Sequence, residues 1–229
     1  GKTVYPLSDE AFCLHGRRML EKGVRAIGGC CGTTPETIRM LREVCDGLKP
    51  VQRAPRRITA ISSNLATVVF DGNATVIGER INPTGKKRLK EALRKEQMDY
   101  VLGEALAQAD AGSDVLDVNV GLPELDEAGL IQRVIQRIQA VTPLPLQVDS
   151  ADPAAIEAGV RIYNGKPLIN SVNGKEESLR AVLPIAKKYG AALLCLTLDE
   201  EGIPDSAEKR LQIARKIVGA GERYGIRRG

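Results

Sequence analysis

Five short apolar runs, each followed by a helical stretch, constrain this chain more than any other feature. They are TVIGER at 75–80, VLDVNV at 115–120, LPLQVD at 144–149, PLINSV at 167–172 and AALLCLTL at 191–198. Such near-continuous runs, unlike alternating ones, mark strands covered on both faces, as in parallel βα architectures. Helical periodicity fills 86–111, with a break near Gln97–Asp99, then 125–141, 152–162, 176–189 and 206–224. Short βα units with right-handed crossovers give a TIM-type barrel or a doubly wound sheet. A closed (β/α)8 barrel needs eight strands and about 250 residues. The expected fold class is therefore α/β, with about five βα units that form either part of a TIM-type (β/α)8 barrel, then incomplete, or a doubly wound sheet.

The first fifty residues read differently. Residues 9–23 suggest a helix ended by Gly23, and VRAIGG at 24–29 reads as a short buried strand. Thr34 is placed to cap a helix with Pro35 at its first position. Ile38, Leu41, Val44 and Cys45 form its apolar face, and Gly47 closes it. This helix–strand–helix segment looks like the last βα unit of a separate barrel. Residues 48–68 lose the pattern, with two Pro and scattered Arg, and read as a linker. A hairpin-like entry, TVVFDGNAT, places its turn at Asp71-Gly72-Asn73. The expected division is 1–50, a linker at 51–68, and a larger domain at 69–229.

Composition narrows the function. Aromatics are 3% with no Trp, and the net charge is +4. A protein that stacks bases would carry more rings, so no nucleic-acid partner is expected. No apolar run approaches the roughly 20 residues that span a bilayer, so no membrane partner is expected. GKTVYPLSDE has no apolar core behind its lysine and is not a signal peptide. The five Cys are odd in number and do not resemble a disulfide framework, so a reducing cytoplasm is expected.

Ligand sites in α/β sheets and barrels lie at the carboxyl ends of strands. Glu79 with Arg80, Asn119, Asp149 with Ser150, and Asn170 with Ser171 all fall there. Asp149 could accept the paired donors of an amino-pyrimidine edge. Asn119 and Asn170 each offer a donor and an acceptor for a ring lactam or ring nitrogens. Taken singly, each is equally a turn former or strand-end cap. Cys30-Cys31 reads either as a buried pair closing a strand or as two ligands of one soft metal such as zinc. Cys195 reads as core, and His15 as a helix-surface residue. Pro83-Thr84-Gly85-Lys86-Lys87 shares only its Gly-Lys with a phosphate loop and is rejected as one.

GGCCGTTPETI resembles the last zinc-ligand motif of homocysteine methyltransferase domains. IGERINPTGKK, LDVNVG, LQVDS and INSVNGK resemble, in that order, the pterin-binding domain of the cobalamin-dependent methionine synthase family. The resemblance implies an internal piece of a longer enzyme: the end of a homocysteine barrel, a linker and the first strands of a pterin barrel. It implies that Cys30 and Cys31 are two of three zinc ligands. It also implies that Asp149 and Asn170 anchor the pterin, with Glu79 and Asn119 lining the same cavity. The reaction implied is methyl transfer from 5-methyltetrahydrofolate, through cobalamin bound by a module not in this chain, to zinc-activated homocysteine. Two alternatives are a methyltetrahydrofolate:corrinoid methyltransferase and a non-catalytic folate-binding fragment. Thr37 stands where the family commonly has His, and no residue here matches the third zinc cysteine or the later pterin strands.

Overall fold

A computed structural model describes residues 4–49, 51–52 and 58–228. The chain divides into two compact units, Gly1–Arg56 and Arg57–Gly229. The middle of the expected linker, residues 53–57, lies outside the described residues.

The smaller unit is built on two helices, α1 (Asp9–Glu21) and α2 (Pro35–Asp46). Ser8 caps α1 by accepting the Ala11 N–H at 3.2 Å. Thr34 and Thr37 form a reciprocal capping box at the start of α2. The Thr37 hydroxyl also donates to Asp9 Oδ1 at 2.6 Å, pinning the two helix starts together. Thr37 is only 2% exposed, so its short side chain serves helix pairing here. The strand expected at 24–29 is absent: these residues form no strand and are largely exposed. A strand needs a ladder, and no described residue pairs with this segment. The buried reading of the cysteine pair fails with it, because Cys30 and Cys31 are both exposed.

The larger unit begins with an antiparallel hairpin of β1 (Ala60–Ser62) and β2 (Thr67–Val69). Its turn lies at Ser63–Ala66, not at Asp71-Gly72-Asn73. Ser63 Oγ accepts the N–H groups of Leu65 and Ala66 at 3.0 and 2.9 Å, and that local bonding fixes the reversal. Asp71 and Asn73 bond each other in a separate bend.

Next come β3 (Ile77–Ile81), α3 (Lys87–Arg94), α4 (Met98–Asp110), β4 (Val115–Val118) and α5 (Glu127–Gln139). They are followed by β5 (Leu146–Asp149), α6 (Pro153–Ile162), β6 (Leu168–Asn173), α7 (Glu176–Tyr189), β7 (Ala192–Leu196) and α8 (Ala207–Arg223). The five later strands are all parallel, in the order β3-β4-β5-β6-β7. Strand order that follows chain order is the pattern of a barrel wall, and the wall is incomplete. Doubly wound sheets reverse order at a switch point, and this one does not.

One face of the wall packs under the helices. Leu116, Val118, Leu146, Val148 and Ile169 are fully buried there, beside Ile131, Ile135 and Ile156 of α5 and α6. On that face a Cβ at Gly78 would stand 2.6 Å from Gln108 Oε1 of α4, which already accepts the Arg80 N–H at 2.7 Å, so that bond would have to move. The opposite face is sealed at its foot by the hairpin, where Ile61 joins Val115 and Leu168, with Ile77 and Ala192 beside them. Tyr163 ties this foot together. Its hydroxyl donates to the Ser62 carbonyl and accepts the Leu146 N–H, both at 3.0 Å. Burial pushes that phenol up to about 12. At β7 the covering thins: Leu194 and Leu196 are 36% and 38% exposed, and Cys195 is exposed, not core. Among the described residues no strand pairs with the outer edge of β7, so its side chains lack a neighbour to bury them.

Candidate functional site

Strand alternation places the candidate residues. Side chains two apart on a strand share a face. Val115 faces the hairpin, so Asp117 and Asn119 follow it up the same face of β4. Gln147 and Asp149 do so on β5, and Leu168 and Asn170 on β6. On β3, Arg80 turns toward α4, where it pairs with Glu104 at 3.7 Å, so Ile77 and Glu79 face the other way. The inner face is thus apolar at its foot and polar above it.

Asp149 is the last residue of β5 and Asn119 lies one past β4, as strand-end reading expects. Glu79 and Asn170 lie within β3 and β6, which continue beyond them. Asn119 Nδ2 donates to Asp149 Oδ2 at 3.0 Å, and Asn119 Oδ1 accepts the Gly121 N–H at 2.9 Å. The amide is thereby fixed with its NH2 on the carboxylate. Asp149 and Asn170 are register partners on neighbouring strands. Burial raises Asp149 above the ordinary carboxylate range, Asn119 opposes that shift, and the Glu79 charge adds to it. Glu79 stands at the rim, 61% exposed, with Lys86 Nζ at 3.5 Å from its carboxylate and 2.8 Å from its carbonyl. Ser150 does not face the group; its hydroxyl donates to Glu127.

Two polar residues on this face escape a reading that treats VLDVNV and LPLQVD as apolar runs. Asp117 is 2% exposed and Gln147 4% exposed. They are register partners, and Gln147 Nε2 donates to Asp117 Oδ1. Burial, the Asp149 charge and the Glu79 charge push the Asp117 carboxyl up to about 6, against hydrogen bonding from Gln147 and Asn170. The sequence carries a signal for both: Asp117 and Gln147 each stand two residues ahead of a candidate and must share its face.

In the smaller unit, Cys30 Sγ and Cys31 Sγ lie 3.7 Å apart. Two thiolates bound about 2.3 Å from one tetrahedral zinc would be about 3.8 Å apart, so the pair has the spacing of two ligands. Among the described residues no group of three or more His, Cys, Asp or Glu side chains forms a metal site. The unit thus offers two ligands of such a site. An apolar groove of about 400 Å³ lies elsewhere, along β7 beside Phe70, Leu183 and Ile217. It belongs to the thinly covered edge and carries none of the polar groups above. Among the described residues no helix is long and apolar enough to cross a membrane.

The chain is 33% identical over 225 residues to the methionine synthase of Mycobacterium tuberculosis (strain ATCC 25618 / H37Rv). It is 31% identical over 229 residues to that of Mycobacterium leprae (strain TN). Each alignment covers 93% of this chain but only 19% of the relative. Among solved structures, Xanthomonas albilineans dihydropteroate synthase with 4-aminobenzoic acid superposes with a TM-score of 0.56 at 20% identity, over 73% of this chain and 61% of that one. Yersinia pestis DHPS with a pterine-sulfa conjugate gives 0.55 at 17% identity, over 74% and 61%. These two establish the shared fold. The homocysteine S-methyltransferase family model matches residues 1–45. The pterin binding enzyme model matches residues 78–228, most of the larger unit, and the chain belongs to the pterin binding enzyme family.

Proposed function

We propose that the larger unit binds the pterin ring of a folate and serves a methyltransferase that moves the methyl group of 5-methyltetrahydrofolate to homocysteine. The observation that carries this reading is the Asn119–Asp149 pair, held at 3.0 Å above an apolar foot. Asp149 accepts the paired N–H donors of the amino-pyrimidine edge. Asn119 holds that carboxylate in orientation, and Asn170 bonds the ring from the next strand. Glu79 lines the open rim, where Lys86 restrains it. Dissociation of the methyl group from N5 further requires a proton or a strong hydrogen bond on that nitrogen, because a neutral tertiary amine leaves poorly.

The smaller unit is assigned to the homocysteine half. Cys30 and Cys31 would hold a zinc ion there, with a third ligand from outside the described residues. Bound zinc would keep the homocysteine sulfur as a nucleophilic thiolate near neutral pH. A cobalamin carried by another module would supply the intermediate methyl acceptor. Five cysteines, an odd number without the spacing of a disulfide framework, suit a reducing, cytoplasmic setting. The homocysteine S-methyltransferase match at residues 1–45 favours this reading over a corrinoid methyltransferase that acts on folate alone.

Calorimetric titration with tetrahydrofolate tests the proposal. Wild type should bind, and Asp149→Ala should bind at least tenfold more weakly, since a charge-assisted hydrogen-bond pair is removed. Equal affinity in the two, or no binding by wild type, would defeat it. The 229-residue chain alone should transfer methyl groups to free cobalamin far below enzyme-like rates, and rapid turnover would show that five strands suffice.

A further inference from the structure

Asp117 is too deeply buried to contribute much contact to a ligand, yet it adjoins most of the groups that would. Its strand partner is Gln147, whose Nε2 donates to it. Among the described residues Gln147 Oε1 is buried with no hydrogen-bond partner, and the bond its amide makes there is to Asp117. On the same inner face, the Asn170 amide favours the ionised form of Asp117, and a proton on Asp117 would favour the ionised form of Asp149. We propose that Asp117 is a positioning residue for the bound ring: held by Gln147, it sets the direction of the Asn170 amide and leaves one face of Asp149 free for the ligand. The proposal rests on the pterin reading above and concerns the ring's pyrimidine edge.

The reasoning is one of donors and acceptors. An asparagine amide can present either end to a ligand. An ionised carboxylate beside it only accepts, so it draws the Asn170 NH2 toward itself and leaves the carbonyl for the cavity. Asn119 already occupies Asp149 Oδ2, so the ring's donors need the remaining lone pairs of that carboxylate. A protonated Asp117 reverses both conditions. Its O–H donates to Asp149 and takes up an acceptor, and Asn170 loses the partner that oriented it. The titratable groups acting on Asp117 are Asp149 from β5 and Glu79 from β3, both acids, while Gln147 and Asn170 are neutral. Burial first, and then both acids, favour its protonated form, which brings the change into an accessible pH range.

The test is tetrahydrofolate affinity of the whole chain, measured by anaerobic calorimetry between about pH 5 and 7.5, a window that brackets the Asp117 value. Wild type should gain about tenfold in affinity as pH rises, with a midpoint near the Asp117 value of about 6. Asp117→Asn should lose that midpoint and bind more weakly at the alkaline end of the range. Gln147→Met removes a hydrogen bond that favours the ionised form, so its midpoint should move upward. The shift separates positioning from mere packing, and it stays readable if Asp117→Asn fails to fold. A flat wild-type profile, a midpoint that survives in Asp117→Asn, or one unmoved in Gln147→Met would overturn the proposal. No binding by wild type at any pH would instead overturn the pterin reading itself.

Discussion

The foot and the mouth of the same inner face differ in almost every physical respect. At the foot, Ile61, Val115 and Leu168 pack together with at most 5% exposure. Further up the same face the side chains are Asp117, Gln147, Glu79, Asp149 and Asn170, with Gln147 level with Leu168 and Asp149 level with Asn170. The apolar filling that stabilises a barrel interior is confined to one layer here, and the next layer consists of groups that cost free energy to bury. Stability and recognition are thus separated along the strand by two residues.

The largest expected effect breaks the foot. Ile61→Ala deletes a fully buried side chain that seals the hairpin onto the wall. It should cost about 3 kcal/mol in urea unfolding, as large-to-small core changes do. Folate affinity, measured well below the midpoint, should change little. A loss of affinity without a loss of stability would show that foot and mouth are one unit.

The next effect sharpens the mouth. Asp117 is raised from 3.8 to about 6 by folding. A folded-state acid with a raised pKa holds its proton longer than the unfolded chain does, so its ionisation opposes folding. Its contribution is most favourable below about pH 4 and is lost as pH rises to about 6, up to about 3 kcal/mol in all. The difference between wild type and Asp117→Asn isolates it from other carboxylates. The unfolding free energy of wild type relative to the variant should fall between about pH 4 and pH 7. A rise over that interval would mean that Asp117 is stabilised as the anion.

A smaller effect concerns the tie between hairpin and wall. Tyr163→Phe removes one hydroxyl that serves both the Ser62 carbonyl and the Leu146 N–H. About 1–2 kcal/mol of stability should be lost in thermal or urea unfolding. No loss would indicate that both backbone groups find other partners.

These particulars also show how far the amino-acid order alone reveals the fold and the site. All five wall strands are legible in it, because burial on both faces writes a continuous apolar run. The helix start at Thr34 follows from capping chemistry. VRAIGG misleads because an apolar composition says nothing about whether a neighbouring strand exists to pair with it. Asp71-Gly72-Asn73 misleads because it carries strong turn residues, whereas the reversal is made by the single hydroxyl of Ser63. Cys195 looks like core in an apolar strand, yet core status depends on what lies across the edge of β7. Asp117 and Gln147 are hidden for a different reason. A polar residue inside an apolar run is easily discounted, although its face is fixed by its distance from Asn119 or Asp149. Asn119 and Asp149 stand where strand-end reading expects them, whereas Glu79 and Asn170 lie inside β3 and β6; the four are linked by sharing the inner face.

The division of the inner face is tested most directly by Asp149→Asn, with tetrahydrofolate affinity and ligand-free unfolding free energy measured on the same preparation. The substitution keeps the shape and removes the charge that accepts the ring's donors. Affinity should fall roughly tenfold to a hundredfold. Unfolding free energy near pH 7 should stay level or rise, because burial raises the Asp149 pKa and the anion is therefore held at a cost. Unchanged affinity together with a clear loss of stability would contradict the account, since it would make Asp149 part of the scaffold and not of the site.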